Sequence, residues 1–154
     1  MRQALTLAAK ARGKTSPNPM VGAVIVKNQK IISEGWHHFC GGDHAEVIAI
    51  HRAQSKVKGA SLYVNLEPCF HYGRTPPCVD QIIHCGIKEV VIAMKDPNPL
   101  TNGKSIRKLI RAGVKVKLGV LKQEAEDLIS VLPDAILQSH PRVSRIEEIL
   151  CELE

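Results

Sequence analysis

The stretch Met20-Val21-Gly22-Ala23-Val24-Ile25-Val26 is an apolar run that predicts a buried β-strand. Asn28-Gln29 is typical of a tight turn, and Ile31 to Gly35 predicts a second strand after it. Because only a short turn separates them, the two strands are expected to pair as an antiparallel hairpin. Before the run, Thr15-Ser16-Pro17-Asn18-Pro19 predicts a rigid loop, since its two prolines exclude a helix.

Around this hairpin, helix and strand patterns alternate along the chain. We predict, in order, a helix over Met1 to Arg12, the hairpin, a helix over His44 to Gln54, a strand over Leu62 to Leu66, a helix from Thr75-Pro76-Pro77 to Gly86, a strand over Glu89 to Met94, a helix over Gly103 to Ala112 and a strand over Val114 to Val120. This order predicts an α/β fold with three layers, in which helices cover both faces of a mixed five-stranded sheet. Beyond the hairpin, the strands are expected to be mostly parallel.

The length of 154 residues corresponds to about one domain. We assign this domain to residues 1–128. Residues 129–154 are expected to form a tail, in which Ile146 to Leu153 is either a short docked helix or a frayed end.

No apolar run approaches the roughly 20 residues of a membrane span, so no membrane partner is expected. Five cysteines without a regular framework, and no secretory segment, favour a reducing cytoplasm.

The net charge of +6 calls for an acidic partner or a well-solvated surface. A basic cluster is formed by Lys104, Arg107, Lys108, Arg111, Lys115 and Lys117. It can be a solvated face, or it can attract phosphate groups. Aromatic residues make up only 3% of the chain, which argues against a nucleic-acid partner, because single-strand binders stack bases on aromatic side chains.

Three short motifs carry the chemistry: His44-Ala45-Glu46, Pro68-Cys69 and Pro77-Cys78. One imidazole and two thiolates match a catalytic zinc site, which uses three protein ligands and leaves one position open. We therefore predict one Zn²⁺ per chain. Glu46 remains free for acid/base work, as in the His-x-Glu and Pro-Cys pattern of nucleobase deaminases. In that pattern two residues separate the cysteines, whereas here eight residues do.

Residues two apart do not share one face of a helix, so His44 and Glu46 can approach one metal only at an irregular helix start. Gly41-Gly42-Asp43 suits such a start. Cys78 is predicted in the first turn of the helix capped by Thr75, where the helix dipole lowers the pKa of a thiol. We therefore expect Cys78 to be predisposed to the thiolate form.

Each candidate ligand also has a purely structural interpretation. Lone histidines and cysteines are usually packing residues, and we interpret Cys40, Cys85, Cys151, His84 and His140 in that way. A closed structural zinc site would need a fourth ligand such as Cys40, His71 or Cys85. A non-catalytic zinc-binding module is therefore the alternative from another class of protein, and a tRNA adenosine deaminase is the alternative enzyme.

Beyond the zinc motifs, the chain resembles the deaminase domain of the riboflavin-biosynthesis deaminase/reductase family from the first helix to about Leu128. The matching stretches are Ser16 to Val24, Gly35-Trp36-His37, His44 to Val47, Leu66-Glu67-Pro68-Cys69, His71 to Cys78 and Asp96-Pro97-Asn98-Pro99. The resemblance also accounts for the spacing of the cysteines, since this family carries a longer loop between them.

The resemblance implies a cytidine-deaminase-like fold. It also implies hydrolytic deamination of 2,5-diamino-6-(5-phosphoribosylamino)pyrimidin-4(3H)-one to 5-amino-6-(5-phosphoribosylamino)uracil and ammonia. By position, Asn18 and His37 would contact the pyrimidine, and His71, Arg74, Asp96 and Asn98 would contact the ribose phosphate. Four of these have a plainer interpretation: Arg74 can be solvated, and Asp96, Asn98 and Asn18 can be turn residues beside prolines.

The family usually continues into a reductase domain with a nicotinamide-dinucleotide site. Residues 129–154 hold no glycine, so we expect no reductase domain and no NADP. Either a separate reductase completes the pathway step, or this chain is an isolated domain. The resemblance also implies association into a homo-oligomer.

Overall fold

The computed structural model describes residues 1–72 and 76–130. Its elements, in chain order, are α1 (Arg2–Ala9), β1 (Gly22–Lys27), β2 (Lys30–Trp36), α2 (Ala45–Ala53), a 3₁₀ turn (Gln54–Val57), β3 (Ser61–Leu66), α3 (Cys78–His84), β4 (Glu89–Met94), α4 (Lys104–Arg111), β5 (Lys115–Leu118) and α5 (Lys122–Ser130). The predicted order of helices and strands is confirmed. The helix predicted to start at Thr75-Pro76-Pro77 begins instead at Cys78, with Pro77 as its N-cap and no side-chain cap, so that predicted start is wrong. The predicted Ile146 to Leu153 segment lies outside the described residues.

The five strands form one mixed sheet in the order β2-β1-β3-β4-β5. Strand β1 pairs antiparallel with both β2 and β3, whereas β3, β4 and β5 pair in parallel. At the hairpin turn, Asn28 and Gln29 both have positive φ, of 51° and 61°. Two positive φ values in succession match the right-handed twist of the flanking strands. The predicted hairpin and the mixed five-stranded sheet are therefore confirmed.

Two glycines show that helices cover both faces of the sheet. A Cβ at Gly22 would collide with the Ala4 carbonyl and the Ala8 amide of α1. A Cβ at Gly35 would collide with the Ala45 carbonyl and the Ala49 amide of α2. Gly35 pairs with the residue after Gly22, and successive residues of a strand point to opposite faces. Helices α1 and α2 therefore lie on opposite faces, and each approaches the sheet closely at a glycine.

The largest core cluster lies between the sheet and the layer of α2, α3 and α4. Its fully buried members include Ile25, Leu62, Ile82, Ile92 and Leu109. On the other face, α1 and α5 contact each other and the central strands. Among the described residues, no helix is both long enough and apolar enough to cross a membrane.

Helix α5 was not predicted. Its only fully buried residue is Ala125, and Ile129 packs beside it against β3 and β4 residues. A single small buried residue leaves a weak periodic pattern in the sequence. The helix extends past residue 128, where we placed the end of the domain, and that boundary stays a prediction because residues 131–154 are not described.

Candidate metal centre and active site

The start of α2 places His44 and Glu46 at the same site. His44 is the N-cap residue, with an extended backbone (φ −68°, ψ 154°), and the helix begins at the next residue. Glu46 lies in the first turn, and only 3% of its surface is exposed. The predicted irregular start is therefore confirmed, and it lets two residues of a short motif face one centre.

The three predicted zinc ligands lie together. The Nδ1 atom of His44 is 3.2 Å from the sulfur of Cys78 and 3.6 Å from that of Cys69. The three ligand atoms all lie within 4.8 Å of one another. Among residues 1–72 and 76–130, no fourth His, Cys, Asp or Glu joins this group. One nitrogen and two sulfur donors fit zinc, and a set of three leaves a coordination position open, as catalytic zinc sites do.

Without metal, the two thiols and the imidazole share their protons unevenly. A hydrogen bond from the Cys78 thiol lowers the pKa of Cys69 to about 4. The hydrogen bond to Cys69 in turn raises the pKa of His44 to about 9. The same contact with Cys69, together with burial, raises the pKa of Cys78 above its usual range. The metal-free site therefore pairs a Cys69 thiolate with a His44 imidazolium.

The prediction that Cys78 is the predisposed thiolate is wrong. Cys78 is the first residue of α3, as expected of a site at a helix start. Its backbone amide, however, donates to the Cys69 sulfur at 3.2 Å. The free N–H groups of a helix start stabilise whichever anion they face. Here that anion is the thiolate of Cys69, which lies in the loop before α3.

Glu46 is buried beside the metal ligands. Burial raises its pKa to about 7, because desolvation disfavours the charged carboxylate. A carboxyl group with a pKa near neutrality can both take up and release a proton at physiological pH. A metal dication nearby would favour the ionised form, which is the form that accepts a proton.

Asn18 and His37 lie next to the metal ligands. The ring of His37 meets that of His44 edge to face, with 5.6 Å between centroids. Burial lowers the pKa of His37, so the ring is neutral at physiological pH. Its Nδ1 faces the Asp43 carbonyl at 3.1 Å and therefore donates, which leaves Nε2 to accept from the Asn18 amide at 3.2 Å. These hydrogen bonds fix the tautomer and orientation of His37.

Asp96 and Asn98 lie in the loop between β4 and α4, and both shape its turns. Asp96 accepts from the Asn98 amide at 2.9 Å, and Asn98 accepts from the Leu100 amide at 2.9 Å. Burial raises the pKa of Asp96, and an electrostatic interaction with His71 opposes this rise. Arg74 lies outside the described residues, so the structure does not place it.

Two buried polar residues at the end of β3 have roles that the sequence did not predict. Asn65 is fully buried; its side chain accepts from the Gly22 amide at 2.8 Å and donates to the Met20 carbonyl at 2.9 Å. Glu67 is 2% exposed and accepts hydrogen bonds from the β4–α4 loop and from the start of α4. The available signal was that Asn65 lies inside the otherwise apolar run Leu62 to Leu66 and that Glu67 lies between this run and Pro68.

The fold and the three-ligand centre define a class of zinc-dependent deaminases. The family model described as "cytidine and deoxycytidylate deaminase zinc-binding region" matches residues 1–94, and the chain belongs to that family.

Within the family, the chain is similar to proteins of riboflavin biosynthesis. It is 52% identical to the riboflavin biosynthesis protein RibD of Aquifex aeolicus, over 94% of this chain and 40% of that protein. It is 48% identical to the diaminohydroxyphosphoribosylamino-pyrimidine deaminase of Buchnera aphidicola, over 82% of this chain and 86% of that protein. A crystal structure of the deaminase/reductase of Thermotoga maritima matches with a TM-score of 0.84 and 46% identity, over 92% of this chain and 41% of that one. The chain thus spans well under half the length of the RibD relative.

Proposed function

We propose that this chain hydrolyses 2,5-diamino-6-(5-phosphoribosylamino)pyrimidin-4(3H)-one to 5-amino-6-(5-phosphoribosylamino)uracil and ammonia, as a step of riboflavin biosynthesis. The observation that carries the proposal is the three-ligand group of His44, Cys69 and Cys78 beside the buried Glu46. The similarity to a deaminase of Buchnera aphidicola, which this chain covers over 86% of its length, supports the choice of substrate.

His44, Cys69 and Cys78 would hold the zinc ion. When bound, zinc supplies Lewis acidity that lowers the pKa of water at its open position. Two thiolates offset the charge of the ion, so a strong proton acceptor is needed close by. Glu46 would fill this role: its carboxylate takes one proton from water and delivers it to the ring nitrogen, and then takes the second proton from the added hydroxyl group and delivers it to the departing amine.

The remaining predicted residues surround this centre in two groups. Asn18 and His37, joined by a hydrogen bond beside His44, would orient the pyrimidine ring. His71, Asp96 and Asn98 belong to the loops after β3 and β4, and with Arg74 they would contact the ribose phosphate. Ligands of open α/β sheets bind at the carboxyl ends of the parallel strands, where these loops lie.

The larger context of the chain is also part of the proposal. RibD relatives are longer than this chain, so reduction of the ribose would fall to another domain or to a separate reductase. We also propose a cytoplasmic enzyme that forms a homo-oligomer. The reductase, the location and the oligomeric state are properties of the whole protein, and the proposed deaminase chemistry does not depend on them.

The decisive experiment measures ammonia release by the zinc-loaded chain from two substrates: the diaminopyrimidine ribosylamine phosphate and an adenosine-containing tRNA hairpin. We expect release from the pyrimidine only. Release from the hairpin alone would make tRNA adenosine deamination the function. Release from neither, with about one zinc per chain, would favour the non-catalytic zinc-binding module.

Replacing the proton carrier tests the chemistry directly. Glu46→Gln should lower kcat by about 100- to 10,000-fold, because the amide cannot accept the proton, while the zinc content stays near one per chain. Glu124→Gln removes one carboxylate from the exposed surface of α5 and is the matched control, with kcat expected to be unchanged. Unchanged turnover in Glu46→Gln would remove Glu46 from the mechanism.

A further inference from the structure

The first N–H groups of α4 find no hydrogen-bond acceptor among the side chains at the start of the helix. Its N-cap is Gly103, in the left-handed conformation, and no side chain caps the helix locally. Its first turn contains no acidic residue, and Lys104 even adds a positive charge there. The first N–H groups of a helix need acceptors, and its positive end favours negative charge. The acceptor must therefore come from elsewhere in the fold.

Glu67 supplies this acceptor from the end of β3. One carboxylate oxygen accepts from the Gly103 amide at 2.8 Å, and the other accepts from the Ile106 amide at 3.4 Å. Gly103 and Ile106 are the N-cap and the third helical residue, which are the two positions that a capping box satisfies within one chain segment. Glu67 thus caps α4 from a position 36 residues earlier in the chain.

The same carboxylate also holds the loop that leads into α4. Glu67 accepts from the Asp96 amide at 3.3 Å. Asp96 accepts from the Asn98 amide, and Asn98 accepts from the Leu100 amide. The conformation of the loop from Asp96 to Leu100 therefore depends on Glu67 through consecutive hydrogen bonds.

On its other side, Glu67 is tied to the metal centre. Its backbone amide donates to the Met94 carbonyl at 3.0 Å and so extends the β3–β4 ladder by one residue. Only Pro68 separates it from the ligand Cys69, and a proline fixes the backbone between them. One buried side chain thus connects the metal-ligand loop to the loop of Asp96 and Asn98.

From these contacts we propose that Glu67 is a positioning residue for substrate binding. Its carboxylate sets the distance between the zinc centre and the loop of Asp96 and Asn98, so that a substrate bound by the loop presents its ring at the metal. The proposal rests on the proposed function, in which this loop contacts the ribose phosphate. Glu67 itself touches neither metal nor substrate.

The test uses zinc-loaded Glu67→Gln. In either orientation of the new side-chain amide, its NH₂ group replaces one carboxylate oxygen and faces backbone N–H groups that had donated to that oxygen. The loop therefore loses hydrogen bonds while the fold is kept. We expect KM for the diaminopyrimidine ribosylamine phosphate to rise about 10-fold, with a smaller change in kcat and about one zinc per chain. Amide hydrogen exchange at Asp96, Gly103 and Ile106 should become about 10-fold faster or more, and this increase should exceed the one in β1, which reports the loss of global stability.

A matched control separates positioning from loss of stability. Ile92→Val trims a buried side chain of β4 and lowers stability without touching the carboxylate. It should lower Tm as Glu67→Gln does but leave KM and loop exchange as they are. Glu67→Asp, which keeps the charge but is too short to reach both ends of its contacts, should act in the same direction as Glu67→Gln if the latter folds poorly.

The outcomes are distinct. An unchanged KM or unchanged loop exchange in both Glu67 variants, with wild-type turnover intact, overturns the role of Glu67 alone and leaves it a structural cap. An equal rise of KM in Ile92→Val also overturns it. Absence of turnover in the wild-type chain overturns the proposed function instead, and with it the part of Glu67 in substrate binding.

Discussion

At the scale of single residues, zinc binding depends on the protonation states of the three ligands in the metal-free site. Zinc binding needs a neutral imidazole and two thiolates. In the metal-free site Cys69 is already a thiolate above a pKa of about 4, whereas His44 keeps its proton up to about pH 9. Cys78 keeps its proton as well, since its pKa is raised. Metal binding must therefore displace protons from His44 and Cys78 but not from Cys69.

This unequal sharing predicts the pH dependence of zinc affinity. In the Glu46→Gln protein, where the neighbouring carboxyl no longer titrates, zinc binding at pH 5.5 should release about two protons, so affinity should fall about 100-fold per unit of decreasing pH. With unperturbed side chains, Cys69 would also be protonated and about three protons would be released. Calorimetric titration of the metal-free protein in buffers of different ionisation enthalpy counts these protons. A count near three would show that Cys69 has an ordinary pKa.

At the scale of elements, two close approaches of helix to sheet position the site. Gly35 admits the backbone of α2, which carries Glu46 and begins just after His44. Gly22 admits α1, which carries no predicted site residue, on the opposite face. The two glycines are therefore sterically alike, but only one of them bears on the position of the metal ligands.

This difference predicts unequal effects of two alanine substitutions. Gly22→Ala and Gly35→Ala should each destabilise the metal-free protein by about 1–3 kcal/mol, because the added methyl group overlaps helix backbone, which must then move away from the sheet. Only Gly35→Ala should also weaken zinc binding, since α2 must shift with His44. Urea unfolding measures the first effect and zinc titration the second. Equal zinc affinities in the two variants would show that α2 can shift without disturbing His44.

The order of elements and the metal ligands were predictable because their signals are local. Apolar runs, turn residues and the motifs around His44 and the two cysteines each lie within a few positions of one another. The roles of Asn65 and Glu67 were not predictable, because the side-chain partners of both residues are backbone amides and carbonyls 29 to 45 residues away. The prediction that Cys78 is predisposed to the thiolate form failed because the amide at the start of α3 donates to the sulfur of Cys69, which lies in another loop.

At the scale of the whole molecule, positive charge is concentrated on one face of α4, around a cavity. Lys104, Arg107, Lys108 and Arg111 line a cavity of about 350 Å³ together with Phe70, which directly follows the ligand Cys69. Asp80 pairs with Lys108. The net charge of +6 adds a long-range field of the same sign. Such a field raises the local concentration of a phosphorylated substrate.

The attraction between this positive charge and a phosphorylated substrate should depend on ionic strength. Raising salt from about 20 to about 200 mM should lower kcat/KM for the diaminopyrimidine ribosylamine phosphate several-fold, with kcat unchanged, because screening weakens attraction before binding. Arg107→Gln/Arg111→Gln should reduce both kcat/KM at low salt and its salt dependence. Lys14→Gln/Lys30→Gln removes the same charge from exposed positions away from this cavity and should change both much less. Equal losses in the two double variants would mean that net charge alone, and not the face of α4, attracts the substrate.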